Sequence, residues 1–548
     1  MSNQDIEAAW NYHEATKLAY INLRTKPPLY KSYPSLPVVD LPSDLPPIDV
    51  PASEAVAMGG SGPRAGEGAT STSLDLTAVA QILFFSAGLV HKLGLPVAGE
   101  VHYRAASSAG ALYPIEVYLV CRDLPGLDAG VYHFSPADFT LAQLRAGDFR
   151  AELTAAAGEN QDVGSAPATL VFTANFWRSA WKYRARGYRY CFWDCGTILA
   201  NLLAVCSGLG LPAQVVAGFV DQRVDRLVGI QSDEEASVCL VAIGAGSQAQ
   251  PPPPSGRITP QVIPSDGGGS EKIAYPEADR LHTASCLVSG TEVMAWRQQG
   301  GAPDAFRKSQ APPGGSARSP HPFTGEIGGE IGTGEIPLDQ VIRSRGSTRR
   351  FARQAISRTQ LERVLHSSTA GVPWDFLGTP GASLVDTYLI VNAVDGVPSG
   401  AYYLNRATRG LDLLREGAFR QEAGHLCFEQ ALGADASAIA YFMADLGKIL
   451  PRYGNRGYRT AQLEAGVVGG NMYLCAHSLG LGATGMTFYD DEVTEFFSPH
   501  AAGKSLMFLV ALGVTAELNR VRPFRSRIGV LLDSLARGAG SPMPTNQE

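Results

Sequence analysis

An arginine-rich segment near residue 345 has the composition of an anion-binding site. The segment reads Ile342-Arg-Ser-Arg-Gly-Ser-Thr-Arg-Arg-Phe351. Guanidinium groups, a serine hydroxyl and free backbone N–H groups at a helix start together bind phosphate oxygens well. Arg345, Ser347 and Arg349 are the residues expected to form such a cradle. A solvated basic turn has a similar composition, so the alternative stays open for this segment taken alone.

A second segment, between residues 104 and 114, is rich in small residues. It reads Arg104-Ala-Ala-Ser-Ser-Ala-Gly-Ala-Leu-Tyr-Pro114 and precedes an apolar run that predicts a strand. Small residues let the backbone approach a ligand closely, and serine hydroxyls hydrogen-bond to it. The alternative is a small-residue turn that only leads into the strand.

Both segments belong to an internal repeat. Trp181-Lys-Tyr-Arg-Ala-Arg-Gly-Tyr-Arg189 is matched 270 residues later by Pro451-Arg-Tyr-Gly-Asn-Arg-Gly-Tyr-Arg459. A period this long is typical of two whole-domain copies, because solenoid units run to about 20–50 residues. The same offset of 270 residues pairs Glu116 with Asp386, Tyr118 with Tyr388, Tyr132 with Tyr402, Gly196 with Gly466, Asn201 with Asn471, and Asp221 with Asp491.

We place the two copies at residues 71–246 (copy one) and 336–520 (copy two), each mixed α and β. Period-two apolar patterns predict strands, and apolar residues at three- and four-residue spacing predict long core helices. Helices packed around a sheet give an α+β fold. The predicted strands are 115–120, 168–173, 237–243 and 385–391, and the predicted long helices are 190–209 and 460–479.

Three segments lie outside the copies. Residues 1–70 form a proline-dense N-terminal arm in which residues 12–24 suit a helix. Residues 247–335 form a Pro/Gly-rich linker with one helical insert near residues 283–299, and residues 521–548 form a C-terminal tail.

Composition excludes several classes of function. The chain has 548 residues and a net charge of -7, so no global basic field attracts nucleic acid or an anionic membrane. The polar, acidic N-terminus is unlike a signal peptide, and we expect a cytoplasmic protein. Eight cysteines are too few for a disulfide scaffold, and Cys191 and Cys195 lack the further ligands of a zinc site, so no metal is expected.

The two ligand-binding segments resemble the FMN-dependent nitroreductase superfamily. Arg345, Ser347 and Arg349 match its Arg-x-Ser-x-Arg signature, which holds the FMN phosphate. The resemblance implies two fused nitroreductase-like domains, each a mainly antiparallel sheet flanked by helices, that form an internal pseudo-dimer. It also implies further cofactor-binding residues: Arg104, Ser107, Ser108, Gly110 and Leu112 of the small-residue loop, Gly485 and Met486 of a late Gly-rich strand, and Arg522 near the C-terminus.

Each copy has lost a different half of these determinants. An alignment of the flanking helices places Pro63-Arg-Ala-Gly-Glu-Gly68 opposite the arginine cradle, with only Arg64 retained. In copy two, Thr379-Pro-Gly-Ala-Ser-Leu384 has lost the pattern of the small-residue loop. Because flavin sits at the dimer interface in this superfamily, the resemblance implies one composite FMN site per chain, with copy two supplying the cradle and copy one the loop.

Within the superfamily the chain is most similar to SagB/ThcOx-type dehydrogenases, which oxidise azolines in peptides to azoles. The similarity rests on Tyr12-His-Glu-Ala-Thr-Lys17, Val131-Tyr-His-Phe134, Trp181-Lys-Tyr183 and Asp194-x-Gly196. It implies that Lys182 and Tyr183 act in proton removal. A lysine can lose its proton near neutral pH when its pKa is lowered, whereas Arg452, at the matching position of copy two, cannot. The alternative is that Lys182 anchors a structural carboxylate such as Asp194.

Three functions remain open from sequence. The preferred one is an FMN-dependent dehydrogenase or oxidase that acts on an azoline-like or other cyclic C–N group in a small molecule or peptide. The second is an NAD(P)H-dependent nitro- or quinone reductase, and the third is a catalytically degenerate scaffold or peptide-binding partner. We expect no nucleic-acid or membrane partner, and the fused chain is compatible with a monomer or a homodimer.

Overall fold

The computed structural model describes residues 3–4, 6–17, 27–60, 73–95, 99–231, 234–244, 263–265, 274–301, 321–322, 335–378 and 381–516. The arm and copy one contain α1 (Glu7–Ala15), β1 (Val38–Asp40), α2 (Ala52–Ala57), α3 (Leu76–Ala87), β2 (Leu89–Leu95), β3 (Gly99–Arg104), β4 (Ile115–Cys121), β5 (Gly130–Ser135), β6 (Thr140–Ala146), α4 (Arg150–Ala156), α5 (Gln161–Ser165), β7 (Ala168–Asn175), α6 (Phe176–Tyr183), α7 (Gly187–Gly208), β8 (Ala213–Val216), α8 (Asp221–Val228) and β9 (Glu235–Ile243).

The linker and copy two contain helices and strands in an order that parallels that of the arm and copy one. They contain α9 (Pro276–Ser285), α10 (Gly290–Gln298), β10 (His321–Pro322), α11 (Leu338–Ser344), α12 (Arg358–Ser368), β11 (Val385–Val391), β12 (Gly400–Asn405), β13 (Gly410–Glu416), α13 (Arg420–Leu426), α14 (Ala431–Asp435), β14 (Ala438–Ala444), α15 (Leu446–Ser478), β15 (Gly482–Gly485), α16 (Asp490–Phe497) and β16 (Ser505–Gly513). The predicted strands and the two predicted long helices are all present.

Each copy is built on a seven-stranded antiparallel sheet. The strand orders are β1-β6-β5-β4-β7-β9-β8 and β10-β13-β12-β11-β14-β16-β15. The two orders correspond strand for strand, so the sequence repeat is a repeat of the whole fold. The central strands β4, β7, β11 and β14 are almost completely buried, which agrees with their continuous apolar sequences.

The two copies meet where the core helices α7 and α15 cross. At this crossing Gly196 faces Gly466, its partner in the repeat. A Cβ atom on Gly466 would lie 2.7 Å from the carbonyl oxygen of Trp193, and one on Gly196 would lie 2.5 Å from that of Leu463. Only glycine at both positions allows the helices to approach this closely, so the crossing fixes the pseudo-twofold arrangement of the copies.

The arm and the linker also take part in the repeat. The linker contains two helices, α9 and α10, rather than one, and the arm helix α1 begins at Glu7 rather than at residue 12. His13 of α1 lies 3.4 Å from the hydroxyl of Tyr458, and His282 of α9 lies at the same distance from Tyr188, its repeat partner. Strands β1 and β10 occupy equivalent edges of the two sheets. Each copy is thus preceded by its own arm.

Buried ion clusters join the copies in a reciprocal way. Arg186 and Arg189 of copy one bind Asp490 of copy two, with nitrogen–oxygen distances of 2.8 and 2.5 Å. Their partners in the repeat, Arg456 and Arg459, bind Asp221 of copy one at 2.7 and 3.0 Å. The structural equivalent of Asp221 is therefore Asp490, and the pairing with Asp491 made from sequence was wrong by one residue.

One described helical stretch, Phe176–Gly208, is apolar and long enough to cross a bilayer, but 94% of its apolar window is buried inside the protein. It is a core helix of copy one.

Candidate active-site cleft

The arginine cradle follows the end of a helix. Helix α11 ends at Ser344, and Arg345 is extended, with φ -60° and ψ 134°. The next helix, α12, begins only at Arg358. The sequence prediction of a cradle at a helix start was therefore wrong, because the helical pattern of residues 338–344 precedes the arginines. Helix N–H groups do not contribute here, so side chains carry the positive charge.

Arg345 is the buried member of the cradle and reaches across the interface. Its Nη2 donates to the carbonyl oxygen of Ala105 in copy one at 2.6 Å. The side chain lies over the ring of Tyr473, burial lowers its pKa, and Nε has no acceptor. No carboxylate in the described part of the chain pairs with this guanidinium. A buried cation without a counterion is costly, so the position suits an anionic ligand.

Ser347 links the cradle to the Gly-rich strand β15. Its Oγ lies 3.2 Å from the hydroxyl of Tyr473, and that hydroxyl accepts the N–H of Gly485 at 2.6 Å. Arg349 lies in the same loop and is exposed. Arg522 lies outside the described residues.

The small-residue loop is held by α7 through Asp194. Ser108 Oγ donates to Asp194 Oδ2 at 2.5 Å, and the Ala109 N–H donates to Oδ1 at 3.0 Å. Thr197 Oγ1 also donates to the carbonyl oxygen of Ser107 at 2.7 Å. Burial raises the pKa of Asp194 to about 7, against the effect of these two donors. The loop-holding role of Asp194 was missed from sequence, since its partners lie about 85 residues away.

Arg104 supports this loop from behind. Its guanidinium donates to the carbonyl oxygens of Ile115 and Leu29 at 3.4 and 3.3 Å and lies between the rings of Tyr30 and Tyr113. It therefore ties the N-terminal arm to the loop. A small cavity behind the loop is lined by Arg104, Ser107, Ser108, Asp194 and Ile198, among others.

Lys182 and Tyr183 converge on the loop at Gly110. Gly110 has φ +64°, and a Cβ atom there would lie 2.7 Å from Tyr183 Oη and 2.9 Å from Lys182 Nζ. The left-handed backbone conformation favours glycine here, and the absence of a Cβ leaves room for both side-chain ends. The sequence-predicted pair therefore lies beside the sequence-predicted loop. Leu112, two residues further on, is buried in the core.

The environment of Lys182 favours the neutral amine. Burial lowers its pKa, and Nζ lies 5.2 Å from the centre of the Tyr183 ring. Within the described ranges no carboxylate, Asp194 included, forms an ion pair with Lys182, which removes the structural anchor considered from sequence. Arg452, its counterpart, is instead bound to the backbone, with Nε donating to the carbonyl oxygen of Gln299 at 2.6 Å.

The end of β15 forms the third side of the cleft. Gly485 packs on Phe508, and a Cβ atom at residue 485 would lie 2.6 Å from that ring. Met486 is almost completely buried. The N–H groups of Met486 and Thr487 donate to no group in the described part of the chain. We call the space bounded by Arg345, the loop, Lys182–Tyr183 and residues 485–487 the first cleft.

The equivalent mirror cleft, between β8 and residues 371–378, is closed by the chain itself. The Val215 N–H donates to the carbonyl oxygen of Pro373 at 2.9 Å, and the Asp375 N–H donates to that of Val215 at 3.0 Å. The N–H groups of Ala217 and Gly218 donate to the Asp375 carboxylate at 2.8 and 3.2 Å. The N–H groups of Ala217 and Gly218 therefore have an acceptor within the chain, whereas those of Met486 and Thr487 have none among the described residues.

In the described part of the mirror cleft a glycine takes the position of Arg345, four residues before the segment to which the sequence alignment assigned it. Pro51 and Pro337 pair with each other at the starts of α2 and α11, so these helices are equivalent. Gly59 follows Pro51 at the same interval as Arg345 follows Pro337 and is its counterpart. Pro63–Gly68, which the alignment placed opposite the cradle, lie outside the described residues.

Other chemistries find less support. Among the residues that the structure describes, no cluster of three or more histidine, cysteine or acidic side chains is arranged to hold a metal. Seven of the eight cysteines are buried and the eighth, Cys286, is partly buried; all are unpaired.

Two α+β copies with matching strand orders, joined where their core helices cross, have the arrangement of an internally fused dimer. Residues 71–245 and 342–514 both match the nitroreductase family model. The chain therefore belongs to the nitroreductase family and is an oxidoreductase with two tandem nitroreductase domains. The sequence interpretation of the family and of the fold is confirmed.

Similar proteins fall into two groups. The chain is 29% identical over 174 residues to the putative nitroreductase MJ1384 of Methanocaldococcus jannaschii, which covers 32% of this chain and 82% of that one. It is 30% identical to the microcin B17-processing protein McbC of Escherichia coli and 31% identical to the trifolitoxin-processing protein TfxB of Rhizobium leguminosarum. Those matches cover 28% and 39% of this chain, and 59% and 58% of the two processing proteins.

The tandem fold has a solved counterpart. The structure of a putative nitroreductase from Anabaena variabilis matches 93% of this chain and 99% of its own, with a TM-score of 0.69 at 22% sequence identity. This likeness extends over both copies and supports the fold.

Proposed function

We propose that the chain is an FMN-dependent dehydrogenase that oxidises an azoline-like or other cyclic C–N group, with one FMN in the first cleft. The observation that carries the proposal is the convergence of Lys182 and Tyr183 on Gly110, beside a loop that Arg345 of the other copy contacts. A base, a hydrogen-bonding phenol and an anion-binding arginine then face one cleft.

The residues of the first cleft fit FMN. Arg345, a buried cation without a carboxylate partner, is suited to the phosphate, with Ser347 beside it. The unpartnered N–H groups of Met486 and Thr487 are suited to acceptor atoms of the ring. In the mirror cleft the corresponding donors bind the Asp375 carboxylate, an acceptor supplied by the chain.

Bound FMN supplies a hydride acceptor, and the chain must supply the base. Lys182 is suited to that task because burial lowers its pKa and no carboxylate in the described structure holds it protonated. Its Nζ takes the proton from the ring atom adjacent to the carbon that loses hydride. Tyr183, whose pKa burial raises, stays protonated and donates a hydrogen bond.

The relatives support a peptide-linked substrate. McbC and TfxB are named for processing microcin B17 and trifolitoxin. We extend peptide processing to this chain as part of the proposal, with oxygen as the electron acceptor.

Cofactor content tests the composite site. Purified protein is expected to be yellow and to release about one FMN per chain on denaturation. A content near two would contradict the closed mirror cleft, and a colourless protein that takes up no FMN would favour a degenerate scaffold.

The base is tested by a matched pair of substitutions. Lys182→Met removes the amine and keeps the apolar stem, whereas Arg452→Met changes the equivalent position in the mirror cleft. We expect Lys182→Met to lower turnover about 10²–10⁴-fold, the usual contribution of general base catalysis, and to keep FMN. Arg452→Met is expected to retain turnover. Equal turnover of Lys182→Met and the wild type would refute the catalytic role.

An NAD(P)H-dependent reductase is the second candidate, supported by the similarity to MJ1384 over most of its length. Anaerobic mixing with NADPH separates the two. Rapid bleaching of the flavin absorbance would favour the reductase, whereas bleaching only by an azoline peptide would favour the dehydrogenase.

A further inference from the structure

Arg186 carries buried hydrogen-bond donors that have no acceptor among the described residues. It lies three residues after Tyr183, and its guanidinium is 5.1 Å from the ring of Phe488, which follows Thr487 at the edge of the first cleft. Nη1 donates to the carbonyl oxygen of Thr16 and pairs with Asp490. The residue is only 4% exposed, and its Nε and Nη2 are buried without an acceptor in the part of the chain that the structure describes.

The counterpart Arg456 shows what such a position accepts. Arg456 stacks on Phe219 as Arg186 stacks on Phe488, and it binds Asp221 as Arg186 binds Asp490. In the mirror cleft, however, Nε donates to the carbonyl oxygen of Ala217 at 2.6 Å. Burial raises the pKa of the nearby Asp375 carboxyl, and the positive charges of Arg297, whose Nε lies 3.6 Å from Oδ2, and of Arg456 partly oppose that rise.

The surroundings of Arg186 and Arg456, which are otherwise equivalent, differ in charge. The mirror cleft contains an internal carboxylate beside its arginine, held by Ala217 and Gly218. In the described part of the first cleft no side chain takes that place. Arg186 has two buried donors without an acceptor, Nε and Nη2, whereas Arg456 has one, Nη2. Unsatisfied donors on a buried cation are among the most costly polar groups in a protein.

We infer that Arg186 binds an anionic oxygen of the ligand in the first cleft, a carboxylate of the substrate foremost. Arginine suits this role because Nε and Nη2 form a planar fork that matches two carboxylate oxygens. Asp490 and Phe488 fix the guanidinium, so little side-chain entropy is lost on binding. The same fork could instead serve an oxygen of the cofactor ring, and the two sources are distinguished by experiment. The inference rests on the FMN site proposed above.

The test uses benzoate and its neutral analogue benzamide as probes of the FMN-loaded protein. We expect benzoate to perturb the flavin absorbance and to bind about tenfold or more tightly than benzamide, since an ion-paired hydrogen bond is stronger than a neutral one. This comparison uses the wild-type protein and therefore does not depend on whether a variant folds. FMN content is measured first, so a protein without FMN contradicts the proposed function and not this inference.

Two matched variants locate the anion site. Arg186→Gln removes the cation of the first cleft, and Arg456→Gln removes its counterpart and a similar set of structural contacts. Loss of the benzoate preference only in Arg186→Gln, with FMN retained, supports the substrate as the source of the oxygen. Weaker FMN binding only in Arg186→Gln assigns the oxygen to the cofactor. Equal benzoate and benzamide affinities in the wild type, or unchanged benzoate and FMN affinities in folded Arg186→Gln, overturn the inference.

Discussion

Arg345 of copy two donates a 2.6 Å hydrogen bond to the carbonyl oxygen of Ala105 in copy one. This bond joins the two segments that sequence analysis singled out separately, the cradle and the small-residue loop. Because each copy retains only one of them, the first cleft exists only when both copies are present and docked. The mirror position has Gly59, and residues 373–375 pair there with β8, so the chain itself closes that cleft.

The first prediction concerns Arg345 itself. Arg345→Gln keeps a donor for Ala105 but removes the buried charge, so FMN affinity is expected to fall roughly 10–100-fold, the range for losing one charged hydrogen bond. Fluorescence titration of apoprotein with FMN measures the change. Arg353→Gln is the control, because Arg353 is exposed and pairs with Asp435 at the surface. Equal affinities of the two variants would contradict the assignment of Arg345 to the phosphate.

The second prediction concerns the backbone that follows the Lys182–Tyr183 pair. Arg184 has φ +53° and ψ -145°, a region that favours glycine, and the repeat places Gly454 there in copy two, with φ +60° and ψ -161°. A non-glycine residue in this region costs about 1–3 kcal/mol. We therefore expect Arg184→Gly to be more stable than Arg184→Ala by about 1 kcal/mol in urea unfolding. In ordinary helical positions alanine is the more stable of the two by a similar amount.

The same preference for glycine over alanine is expected at residue 454, the repeat partner of Arg184. In Gly454→Ala the new Cβ would lie 1.9 Å from the carbonyl oxygen of Asn3, so the arm must move. Gly454→Ala is expected to be less stable than the wild type. If Arg184→Ala matched or exceeded Arg184→Gly in stability, the backbone at residue 184 would not be strained.

The repeat, the cradle and the small-residue loop were recognisable because each is local in sequence. The offset of 270 residues pairs Tyr183 with Tyr453 without a gap, and the cradle and loop are each contiguous. The equivalence of the arm and the linker was not predictable. Helices α1 and α9 share little beyond His13 and His282, and their correspondence appears only through contacts with Tyr458 and Tyr188.

Closure of the mirror cleft could not be predicted from the sequence either. Pro373–Asp375 carries no strand pattern, and its backbone partner Val215 belongs to the other copy. The same holds for Asp194, whose role depends on where the loop folds back on α7. Contacts between distant segments are set by packing, which periodicity and composition do not report.

The third prediction concerns the helix crossing. In Gly466→Ala the new Cβ would lie 2.7–2.8 Å from backbone atoms of Trp193, so the two core helices must separate. We expect a loss of at least about 1–3 kcal/mol in stability, as for overpacked cores, and loss of bound FMN because the first cleft spans the interface. Gly447→Ala is the control, since that glycine is exposed near the start of α15 and alanine improves helix propensity. Retained FMN and unchanged stability in Gly466→Ala would contradict the packing.

The last prediction concerns pH and the Asp194 carboxyl that holds the loop. Burial raises its pKa to about 7, from an unfolded value near 3.8. The folded protein therefore binds this proton more tightly than the unfolded chain does. Its contribution to stability is complete below about pH 4 and is lost as the pH rises to about 7, at roughly 1.4 kcal/mol per pKa unit.

Asp194→Asn removes this titration and keeps a side chain of the same shape. The stability of the wild-type apoprotein relative to Asp194→Asn should consequently fall by a few kcal/mol between pH 4.5 and pH 8, as about three pKa units imply. Urea unfolding midpoints of both proteins across this range provide the measurement, and taking the difference cancels the titration of all other groups. A difference that stays constant from pH 4.5 to pH 8 would show that Asp194 is ionised throughout and that donors to its carboxylate outweigh burial.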